Sequence, residues 1–500
     1  MNAPLRKAGL VLVILFGLLF AQLNWISVVK ADQYRNDTEH NAVRLLQQDY
    51  ERQRGNIVVD GKAIALSTST MDTFKYLRSY PQGPLYADVT GYRPVYGELT
   101  GIEAVENQIL NGSADEFAPD RLLEMLTGKK SGGGNVLLSL RQQVQQAAYD
   151  GLRNNPTGSK VGAVVAIDPT TGAVLAMVST PSFDPNKLVV HDFDKANTAY
   201  ESLLSDPANP LLNRAVSETF PPGSAFKVIV SAAALQNGLT PDTVLTGGSS
   251  YTAPQTTTPI HNSSGVNCPD QITLQDALRI SCNTAFARYG VEQLGADKLK
   301  EVAQSFGFET TPTFDQDDGN KMHVASSTTG PIAGPGGATD PAALAQSCIG
   351  QRDVRWTPLQ AALVAATVAN NGSEMRPYLI DSIQDANLAQ LWHRTPAELH
   401  RPLSEAVTNQ LRQMMDSVVD NGTGTRAQID GFEVGGKTGT AQNGDAPDHG
   451  WFIGYARTRG GQPVVAVAVL IQNAGSGASA AASAIAGQVM KAAIAVKGVS

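Results

Sequence analysis

The sequence predicts an α+β protein of more than one domain, held at a membrane by a single N-terminal helix. Three observations lead to this prediction. The chain has 500 residues, of which 42% are hydrophobic and 17% are charged, and this composition and length leave room for two or three globular domains. An uncharged apolar stretch lies close to the N-terminus. Strand-like runs open and close the larger C-terminal part, with helical runs between them.

The membrane helix is the first element. Residues 8–29 carry no charge, and this stretch is long enough to cross a bilayer as a helix. Arg6 and Lys7 precede it, and such positive charges stay on the cytoplasmic side. We therefore expect a cytoplasmic tail over residues 1–9, a transmembrane helix over residues 10–29 and an exported remainder. A cleaved signal peptide is the alternative, and it exports the chain as well.

A small mixed α/β domain is predicted over residues 30–157. Polar residues with spaced apolar ones at 34–50 favour a helical stalk, and two short strands follow around the turn Asp60-Gly61. The run of lysines and glycines at 129–134 is predicted to be an exposed linker. Apolar residues at helical spacing then predict a helix over Val136–Leu152.

The larger domain is predicted over residues 158–500. Four strand-like runs open and close it: Val161–Ile167, Ala173–Ser179, Gly450–Ala456 and Pro463–Ile471. The first two are joined by a turn at Asp168–Gly172 and form a predicted hairpin. An alanine-rich helix over Ser479–Val496 ends the chain and should pack on the sheet.

Composition argues against two kinds of site. The net charge is −8 and there is no dense cluster of lysine and arginine, so we expect no nucleic-acid partner. The histidines are scattered along the chain, among them those at positions 261, 323, 393, 400 and 449. None of them stands in a cluster with metal-ligand spacing, so no metal site is predicted.

The chain has three cysteines, Cys268, Cys282 and Cys348. In an exported protein an odd number permits one internal disulfide and one leftover thiol. Cys268 and Cys282 are close enough in sequence to close a small loop, and we predict a disulfide between them. Three reduced and buried cysteines are the alternative.

A buried helix is predicted over residues 221–238. Two prolines and a glycine mark its start, Asn237-Gly238 supplies a left-handed end, and the residues between are apolar almost all round. Ser224 lies at the start, and Lys227 follows one turn later on the same face. A serine hydroxyl needs a base to become a nucleophile. A lysine can be that base when burial or a second cation keeps it uncharged.

A second motif follows a helix start at Thr273, which is a threonine N-cap with an acidic residue three positions later. This helix is predicted to reach Ser281-Cys282-Asn283. With Cys282 turned into the core, Ser281 and Asn283 point the same way. Ser281 can then relay a proton, and Asn283 can bind a substrate amide.

The third motif is the strand Val434–Ala441, which contains Lys437, Thr438, Gly439 and Thr440. Glycines in a strand usually mean that another group approaches the backbone closely. Lys437 would place a cation beside Ser281 and Lys227. The hydroxyls of Thr438 and Thr440 could hold a carboxylate, and the Thr440 N–H could complete an oxyanion hole with that of Ser224.

Each motif alone has a simpler explanation. A Ser-x-x-Lys match arises by chance, and a Lys-Thr-Gly sequence fits an exposed edge strand. All three in the order Ser-x-x-Lys, Ser-x-Asn, Lys-Thr-Gly are the set of the penicillin-binding proteins and serine β-lactamases. The ordered set therefore outweighs the separate structural explanations.

The chain resembles the class B penicillin-binding proteins, and most closely their actinobacterial PbpA group. Further stretches carry this resemblance: Arg54–Ile57, Val165–Asp168, Phe183–Asn186, Trp356–Ala361 and Ala369–Gly372. One departure is Gly350-Gln351-Arg352, where many relatives have Gly-Gln-Gly, and this puts the shape of the local loop in doubt. The resemblance implies a pedestal or dimerisation domain over residues 30–157. It also implies a transpeptidase domain over residues 158–500, with a five-stranded antiparallel sheet flanked by helices as in serine β-lactamases.

The resemblance implies peptidoglycan D,D-transpeptidation. Ser224 would attack the penultimate D-Ala of a pentapeptide stem, Lys227 would take its proton, and Ser281 with Lys437 would pass a proton to the leaving D-Ala. Thr438, Gly439, Thr440 and Asn283 would bind the substrate. β-Lactams would trap Ser224, and no cofactor or metal is required.

The same resemblance implies a membrane-anchored enzyme whose catalytic domain lies outside the cytoplasm, a polytopic glycosyltransferase partner, and a role that leans toward cell division. Alternatives remain: a D,D-carboxypeptidase, a β-lactamase, or a non-catalytic β-lactam sensor or scaffold. A bifunctional synthase does not fit, because residues 30–157 are too few for a glycosyltransferase.

Overall fold

The computed structural model describes residues 3–31, 50–128, 131–311, 314, 322, 324–332 and 338–499. Its first helix, α1, spans Ala3–Asn24 and continues through a π-helical turn over Trp25–Val29. The 24 residues Arg6–Val29 have a mean hydropathy of 2.2 and pack against nothing in the protein. This helix is a candidate membrane span, as expected from its length and composition. The predicted stalk at 34–50 lies outside the described residues except for Tyr50.

A six-stranded sheet organises the N-terminal region. Four of its strands come from this region: β1 (Ile57–Val59), β2 (Lys62–Ser69), β3 (Tyr76–Ser79) and β4 (Asn135–Leu138). The predicted hairpin is confirmed, since β1 and β2 pair antiparallel. Asp60 and Gly61 both adopt positive φ, 47° and 73°, which is the backbone of a tight two-residue hairpin turn. β1 pairs in parallel with β4, with Ile57 opposite Val136.

Two predictions in this region are wrong. The helix expected over Val136–Leu152 begins only at Gln142, because Val136 and its neighbours form β4. These residues pair with β1 on one side, and this tertiary pairing overrides the helical spacing of the apolar residues. Residues 131–134 are not an exposed linker either: Gly133 and Gly134 are buried, and a Cβ on Gly133 would lie 1.8 Å from the carbonyl oxygen of Leu110. Lys129 and Lys130 lie outside the described residues.

The helices of this part of the described chain are α2 (Gly83–Thr90), α3 (Gly101–Val105), α4 (Asn107–Leu110), α5 (Ala118–Thr127) and α6 (Gln142–Arg153). α2 contacts β2 and α4 contacts β4, whereas α6 packs against the sheet of the C-terminal region. At the centre of the region the carboxylate of Glu103 is fully buried between Arg54 and Arg78, with an N–O distance of 2.6 Å to each. This ion pair gives the structural role of Arg54, the first residue of the stretch Arg54–Ile57 that carries part of the family resemblance. Gly55 in the same stretch has no room for a side chain, because a Cβ would lie 1.8 Å from the carbonyl oxygen of Gly134.

The C-terminal region is built on a five-stranded antiparallel sheet, as expected. Its strands are β5 (Gly162–Ile167), β6 (Val174–Thr180), β15 (Phe432–Asn443), β16 (Ala446–Thr458) and β17 (Pro463–Ile471). Their order across the sheet is β15-β16-β17-β5-β6. Alternate residues face opposite sides, so that Val164 packs into one hydrophobic cluster and Val165 into another. Both faces of the central strands are therefore buried.

Helices lie on both faces of this sheet. In chain order they are α7 (Phe193–Leu204), α8 (Lys227–Gln236), α9 (Leu274–Arg279), α10 (Asn283–Tyr289), α11 (Ala296–Ser305), α12 (Pro341–Ser347), α13 (Pro358–Ala369), α14 (Glu405–Asn421) and α15 (Ala478–Lys497). α15 and α6 cover one face, and α13 and α14 pack against the other, with α8 behind them in contact with α14. α15 is long and apolar enough to cross a membrane, but 56% of it is buried in the protein, and it serves as a core helix.

Short strands complete the fold: β7 (Val244–Thr246), β8 (Ser250–Tyr251), β9 (Ile260–His261), β10 (Gln271–Thr273), β11 (Glu374–Met375), β12 (Ile380–Gln384), β13 (Gln390–His393) and β14 (Glu398–His400). The hairpin of β12 and β13 leaves the C-terminal region and joins the N-terminal sheet, where β12 pairs antiparallel with β4. The full order of that sheet is β13-β12-β4-β1-β2-β3. The two regions therefore share a continuous backbone ladder.

Candidate active site

Ser224 lies in a tight turn in front of α8. Residues Gly223–Phe226 form a 3₁₀ turn, and α8 begins only at Lys227, so the predicted single helix over 221–238 is two pieces. The prolines at 221 and 222 have no N–H to donate, and the turn closes with a bond from the Ala225 N–H to the Pro222 carbonyl. From Lys227 onward α8 is buried along nearly its whole length, as predicted.

Glycines allow three backbone segments to meet at this turn. Gly223 has a φ of +53°, and a Cβ on it would lie 2.2 Å from the carbonyl oxygen of Thr440. A Cβ on Gly439 would lie 2.7 Å from the carbonyl oxygen of Pro222, and one on Gly350 would lie 2.0 Å from that of Gly223. The strand that carries Thr440 and the loop at Gly350 are thus packed directly against the serine turn.

Lys227 is the centre of the polar cluster. Its side chain is fully buried, and its Nζ lies 3.0 Å from Ser224 Oγ. The same nitrogen lies 2.7 Å from Asn283 Oδ1, and 3.3 Å from the Oγ and 2.9 Å from the carbonyl oxygen of Ser281. The first two predicted motifs therefore meet at a single amine.

Ser281 lies in a break between two helices. α9 ends at Arg279 and α10 begins at Asn283, so the predicted helix from Thr273 does not continue through the motif. The Thr273 cap is present and accepts a bond from the Asp276 N–H. Ser281 has a φ of +65°, a left-handed conformation that is uncommon for a residue other than glycine. This turn points both its carbonyl oxygen and its hydroxyl at Lys227.

β15 supplies the third part of the cluster. Lys437 is fully buried, and its Nζ lies 3.0 Å from Ser281 Oγ and 2.9 Å from the Thr438 carbonyl oxygen. Ser281 thus stands between the two lysines. Thr438 is also buried, whereas Thr440 is exposed on the same strand. The four residues predicted to be catalytic, Ser224, Lys227, Ser281 and Lys437, lie within one connected set of contacts.

Both lysines have a strongly lowered pKa. For Lys227 burial is the larger cause, and the positive charge of Lys437 adds to it. Burial alone lowers the pKa of Lys437 to about 7. Both shifts arise because a buried ammonium group loses its hydration. An uncharged Lys227 can accept the proton of Ser224, which an ordinary ammonium group cannot.

The sequence reasoning missed three residues that hold these groups in place. Asn262 Oδ1 accepts bonds from the backbone N–H of Asn283 and of Thr284. The carbonyl oxygen of His261 accepts a bond of 2.9 Å from Asn283 Nδ2. Thr423 Oγ1 lies 2.5 Å from Thr438 Oγ1. Nothing in the sequence marks these positions, because each lies at least 15 residues from the group that it contacts.

Both ends of the Asn283 amide take part in these contacts. Its oxygen faces Lys227 and its nitrogen donates to His261. In this arrangement Asn283 positions the lysine, and Nδ2 carries a second hydrogen that it can donate to a substrate. Substrate binding by Asn283 stays a prediction.

Cysteines lie next to the second motif. Cys268 and Cys282 form a disulfide, and Cys348 is a buried free thiol. Cys282 is the residue between Ser281 and Asn283, so the disulfide ties the motif to the segment that contains His261 and Asn262. Among the described residues no group of three or more His, Cys, Asp and Glu side chains could hold a metal ion.

Arg352 marks the loop that departs from the common Gly-Gln-Gly sequence. It has a φ of +60°, so the backbone keeps a left-handed conformation although the glycine is missing. Its guanidinium pairs with Asp340 at 3.2 Å and with Asp353 at 3.5 Å. Gly350 in the same loop accepts a bond from the Gly223 N–H, so the loop still supports the serine turn.

Comparison with protein families matches two parts of the chain. Residues 162–494 match the penicillin binding protein transpeptidase domain. Residues 54–136 match the penicillin binding protein A dimerisation domain.

Whole-length relatives agree with these matches. A protein of Mycolicibacterium smegmatis named peptidoglycan D,D-transpeptidase PbpA is 43% identical, with 99% of each chain covered. The protein of the same name from Mycobacterium tuberculosis is 38% identical over 99% of this chain and 98% of its own.

The structure of penicillin-binding protein A from M. tuberculosis as a ceftriaxone acyl-enzyme complex has a TM-score of 0.83 and 39% identity, over 90% of this chain and 100% of that one. The corresponding imipenem acyl-enzyme complex gives the same values. The resemblance to the class B penicillin-binding proteins and their PbpA group is therefore confirmed. This chain belongs to the penicillin-binding protein transpeptidase family.

Proposed function

We propose that this chain is a serine-type peptidoglycan D,D-transpeptidase in which Ser224 is the nucleophile and Lys227 its base. The observation that carries the proposal is the 3.0 Å distance between Ser224 Oγ and a buried lysine amine with a lowered pKa. The relatives named peptidoglycan D,D-transpeptidase, which cover the whole chain, supply the substrate class.

Acylation begins with the proton of Ser224. Lys227 Nζ accepts this proton while Ser224 Oγ forms a bond to the carbonyl carbon of the penultimate D-Ala. The backbone N–H groups of Ser224 and Thr440 stabilise the oxyanion of the tetrahedral intermediate. The close packing of Gly223 against Thr440 supports this role, because it brings the two backbone segments together.

The leaving group needs a proton. As the amide C–N bond breaks, the terminal D-Ala nitrogen takes a proton that passes from Lys227 through the hydroxyl of Ser281, which Lys437 polarises. The distances of 3.3 Å and 3.0 Å from Ser281 Oγ to the two lysines support this relay. An amine of a neighbouring stem then attacks the acyl-enzyme and gives up its proton by the same route, which restores the Ser224 hydroxyl.

Substrate is held along β15. The hydroxyls of Thr438 and Thr440 bind the terminal carboxylate, and Gly439 leaves the backbone accessible to an extended peptide. Asn283 donates the second hydrogen of Nδ2 to a substrate amide carbonyl. A β-lactam enters in the same orientation, and Ser224 opens its ring. The acyl-enzyme structures of the M. tuberculosis relative support covalent inhibition of this kind.

The proposed cellular arrangement follows from α1. Arg6 and Lys7 lie at the N-terminal end of the candidate span, and we place the N-terminus in the cytoplasm and the catalytic domain outside it. Residues 30–157 act as a pedestal and residues 158–500 as the transpeptidase domain. A polytopic glycosyltransferase that makes the glycan strand is the proposed partner, and cell division is the proposed process.

Fluorescent penicillin tests the site. The full chain in detergent should be labelled covalently, and Ser224→Ala should abolish labelling while leaving the thermal unfolding transition in place. A control variant, Ser404→Ala, removes a serine at the exposed start of α14 and should be labelled normally. Labelling that persists in Ser224→Ala rules out the proposed nucleophile.

A product assay with a donor stem peptide and an acceptor amine tests the reaction. Release of D-Ala without cross-linked product identifies a carboxypeptidase instead of a transpeptidase.

A further inference from the structure

One helix of the N-terminal region has its apolar side facing away from the protein. α5 carries four large apolar side chains in solvent. They are Leu122, Leu123, Met125 and Leu126, which are 61%, 58%, 84% and 78% exposed. Two of its charged residues, Arg121 and Glu124, are half-buried on the protein side. A surface helix of a globular protein normally has the reverse arrangement.

Polar contacts hold α5 in this orientation. Glu124 Oε2 lies 2.6 Å from Arg52 Nη2, and Glu124 Oε1 accepts bonds from the backbone N–H and the hydroxyl of Ser131. Arg121 Nη1 donates to the carbonyl oxygen of Ala114 at 2.5 Å. Phe117, which directly precedes α5, is buried. A rotation that turned the leucines inward would break all of these contacts, so the exposed leucine face is a stable feature of the fold.

α5 lies where the chain returns from the candidate membrane span. Arg52, its ion-pair partner, is two residues beyond Tyr50, at which the described chain resumes after Ala31. The 18 residues between these points, 32–49, reach at most about 65 Å when fully extended. The face of α5 is therefore tethered within reach of the bilayer that contains α1.

We propose that α5 lies in the membrane interface, with its leucine and methionine face inserted among the acyl chains of the lipid. This inference rests on the membrane anchor proposed above and goes beyond the transpeptidase activity. Such interfacial helices bury their apolar face at the boundary between the head groups and the acyl chains.

The chemistry of the face favours lipid over a protein partner. Protein interfaces concentrate their binding energy in Trp, Tyr and Arg side chains, and the exposed face of α5 has none. The hydroxyl of Thr127 donates to the Leu123 carbonyl within the helix, so its proton is already used. Asp115 and Glu116 are exposed in the turn before α5. Their negative charge means that apolar insertion, and not attraction to anionic lipid, drives the contact.

Site-directed spin labelling of the full chain tests the proposal. Leu126→Cys is labelled with a nitroxide and reconstituted in phosphatidylcholine nanodiscs, and collisions with molecular oxygen and with a water-soluble nickel chelate are compared. Native cysteines do not interfere, since two form the disulfide and Cys348 is buried. Leu15→Cys on α1 is the positive control. Leu204→Cys, at a leucine of similar exposure (62%) on α7, is the aqueous control.

We expect the oxygen-to-nickel collision ratio of Leu126→Cys to be several-fold above that of Leu204→Cys and close to that of Leu15→Cys. If the collision ratio at position 126 matches the aqueous control while the ratio at position 15 shows a lipid environment, the α5 proposal is wrong and the membrane anchor α1 is retained. An aqueous ratio at 15 overturns both. Protection of position 126 from both reagents indicates a second copy of the chain on this face and also overturns the lipid contact. All three variants should be labelled by fluorescent penicillin as the unmodified protein is, which shows that the transpeptidase domain is folded. This measurement separates the outcomes above from a failure of the proposed activity.

Discussion

The Nζ atom of Lys227 lies 3.0 Å from the hydroxyl oxygen of Ser224, and the side chain that carries it is fully buried. Burial and the charge of Lys437 lower its pKa well below the ordinary value. A chain of contacts continues from this pair through Ser281 to Lys437. Two amines thus share one hydroxyl, and this arrangement determines how the site responds to substitution and to pH.

Lys227→Gln tests the base. The amide keeps a polar group of similar length but cannot accept the serine proton, so acylation by fluorescent penicillin should slow by about 10²–10⁴-fold. The second-order rate constant of acylation is the measurement. Lys491→Gln, which removes an exposed amine on α15, should keep the rate of the unmodified protein. An acylation rate for Lys227→Gln within a few-fold of that value would exclude Lys227 as the base.

The pH dependence of acylation should be bell-shaped. Acid protonates Lys227 and removes the base, whereas deprotonation of Lys437, whose pKa is about 7, weakens its polarisation of Ser281. Because the two amines are coupled, the limbs report the pair and not single residues. Rate constants measured between acid and alkaline pH should pass through a maximum, and Lys437→Met should lack the alkaline limb. A rate that keeps rising well above pH 7 in the unmodified protein would contradict the role of a protonated Lys437.

Glu103→Gln should destabilise the N-terminal region. Burial alone would raise the pKa of Glu103, but the charges of Arg78 and Arg54 hold it at about 2. The substitution leaves two buried guanidinium groups without their counterion, which costs about 3–5 kcal/mol. Urea unfolding followed by hydrogen exchange of residues in β1 and β2 measures the loss. Glu301→Gln breaks an exposed pair with Lys298 and should cost about 0–1 kcal/mol.

The same carboxylate predicts the effect of acid. The pKa of Glu103 is lower in the folded protein than in the unfolded chain, where it is near 4.5. Its ionised carboxylate therefore contributes fully to the free energy of unfolding above this pH, and the contribution is lost as the pH falls toward 2. Protection of β1 and β2 should therefore decrease over this range in the unmodified protein. Equal acid sensitivity in Glu103→Gln would show that another group is responsible.

Arg352→Gly should stabilise the loop relative to Arg352→Ala. Both variants lose the half-exposed ion pair with Asp340, which is worth about 0–1 kcal/mol. Only glycine relieves the left-handed backbone at φ +60°, and this conformation costs other residues about 1 kcal/mol or more. The free energy of unfolding should therefore be about 1 kcal/mol higher for glycine than for alanine. An equal or lower value for glycine would show that the backbone here is not strained.

The sequence predicted local elements well wherever a turn marked their ends. The Asp60-Gly61 hairpin, the buried run after Lys227 and the apolar strand over Pro463–Ile471 are all present. The predictions were wrong where contacts with a distant segment of the chain determine the local secondary structure. Val136 has the spacing of a helix, but pairing with β1 makes it part of a strand. The sequence predicts a helix that reaches Ser281, but Ser281 has a left-handed backbone, and its hydroxyl oxygen lies 3.3 Å from Lys227 Nζ and 3.0 Å from Lys437 Nζ.

The sequence by itself determined which chemical groups the site contains and in what order, because three short motifs carry the serine, both lysines and the asparagine. It also determined the apolar segments that become α1, α8 and β17. Only the tertiary structure decided that these motifs meet around Ser281, that Asn262 and Thr423 support them, and that the leucines of α5 face outward. Such relations depend on packing between segments far apart in the chain, which no local pattern of residues records.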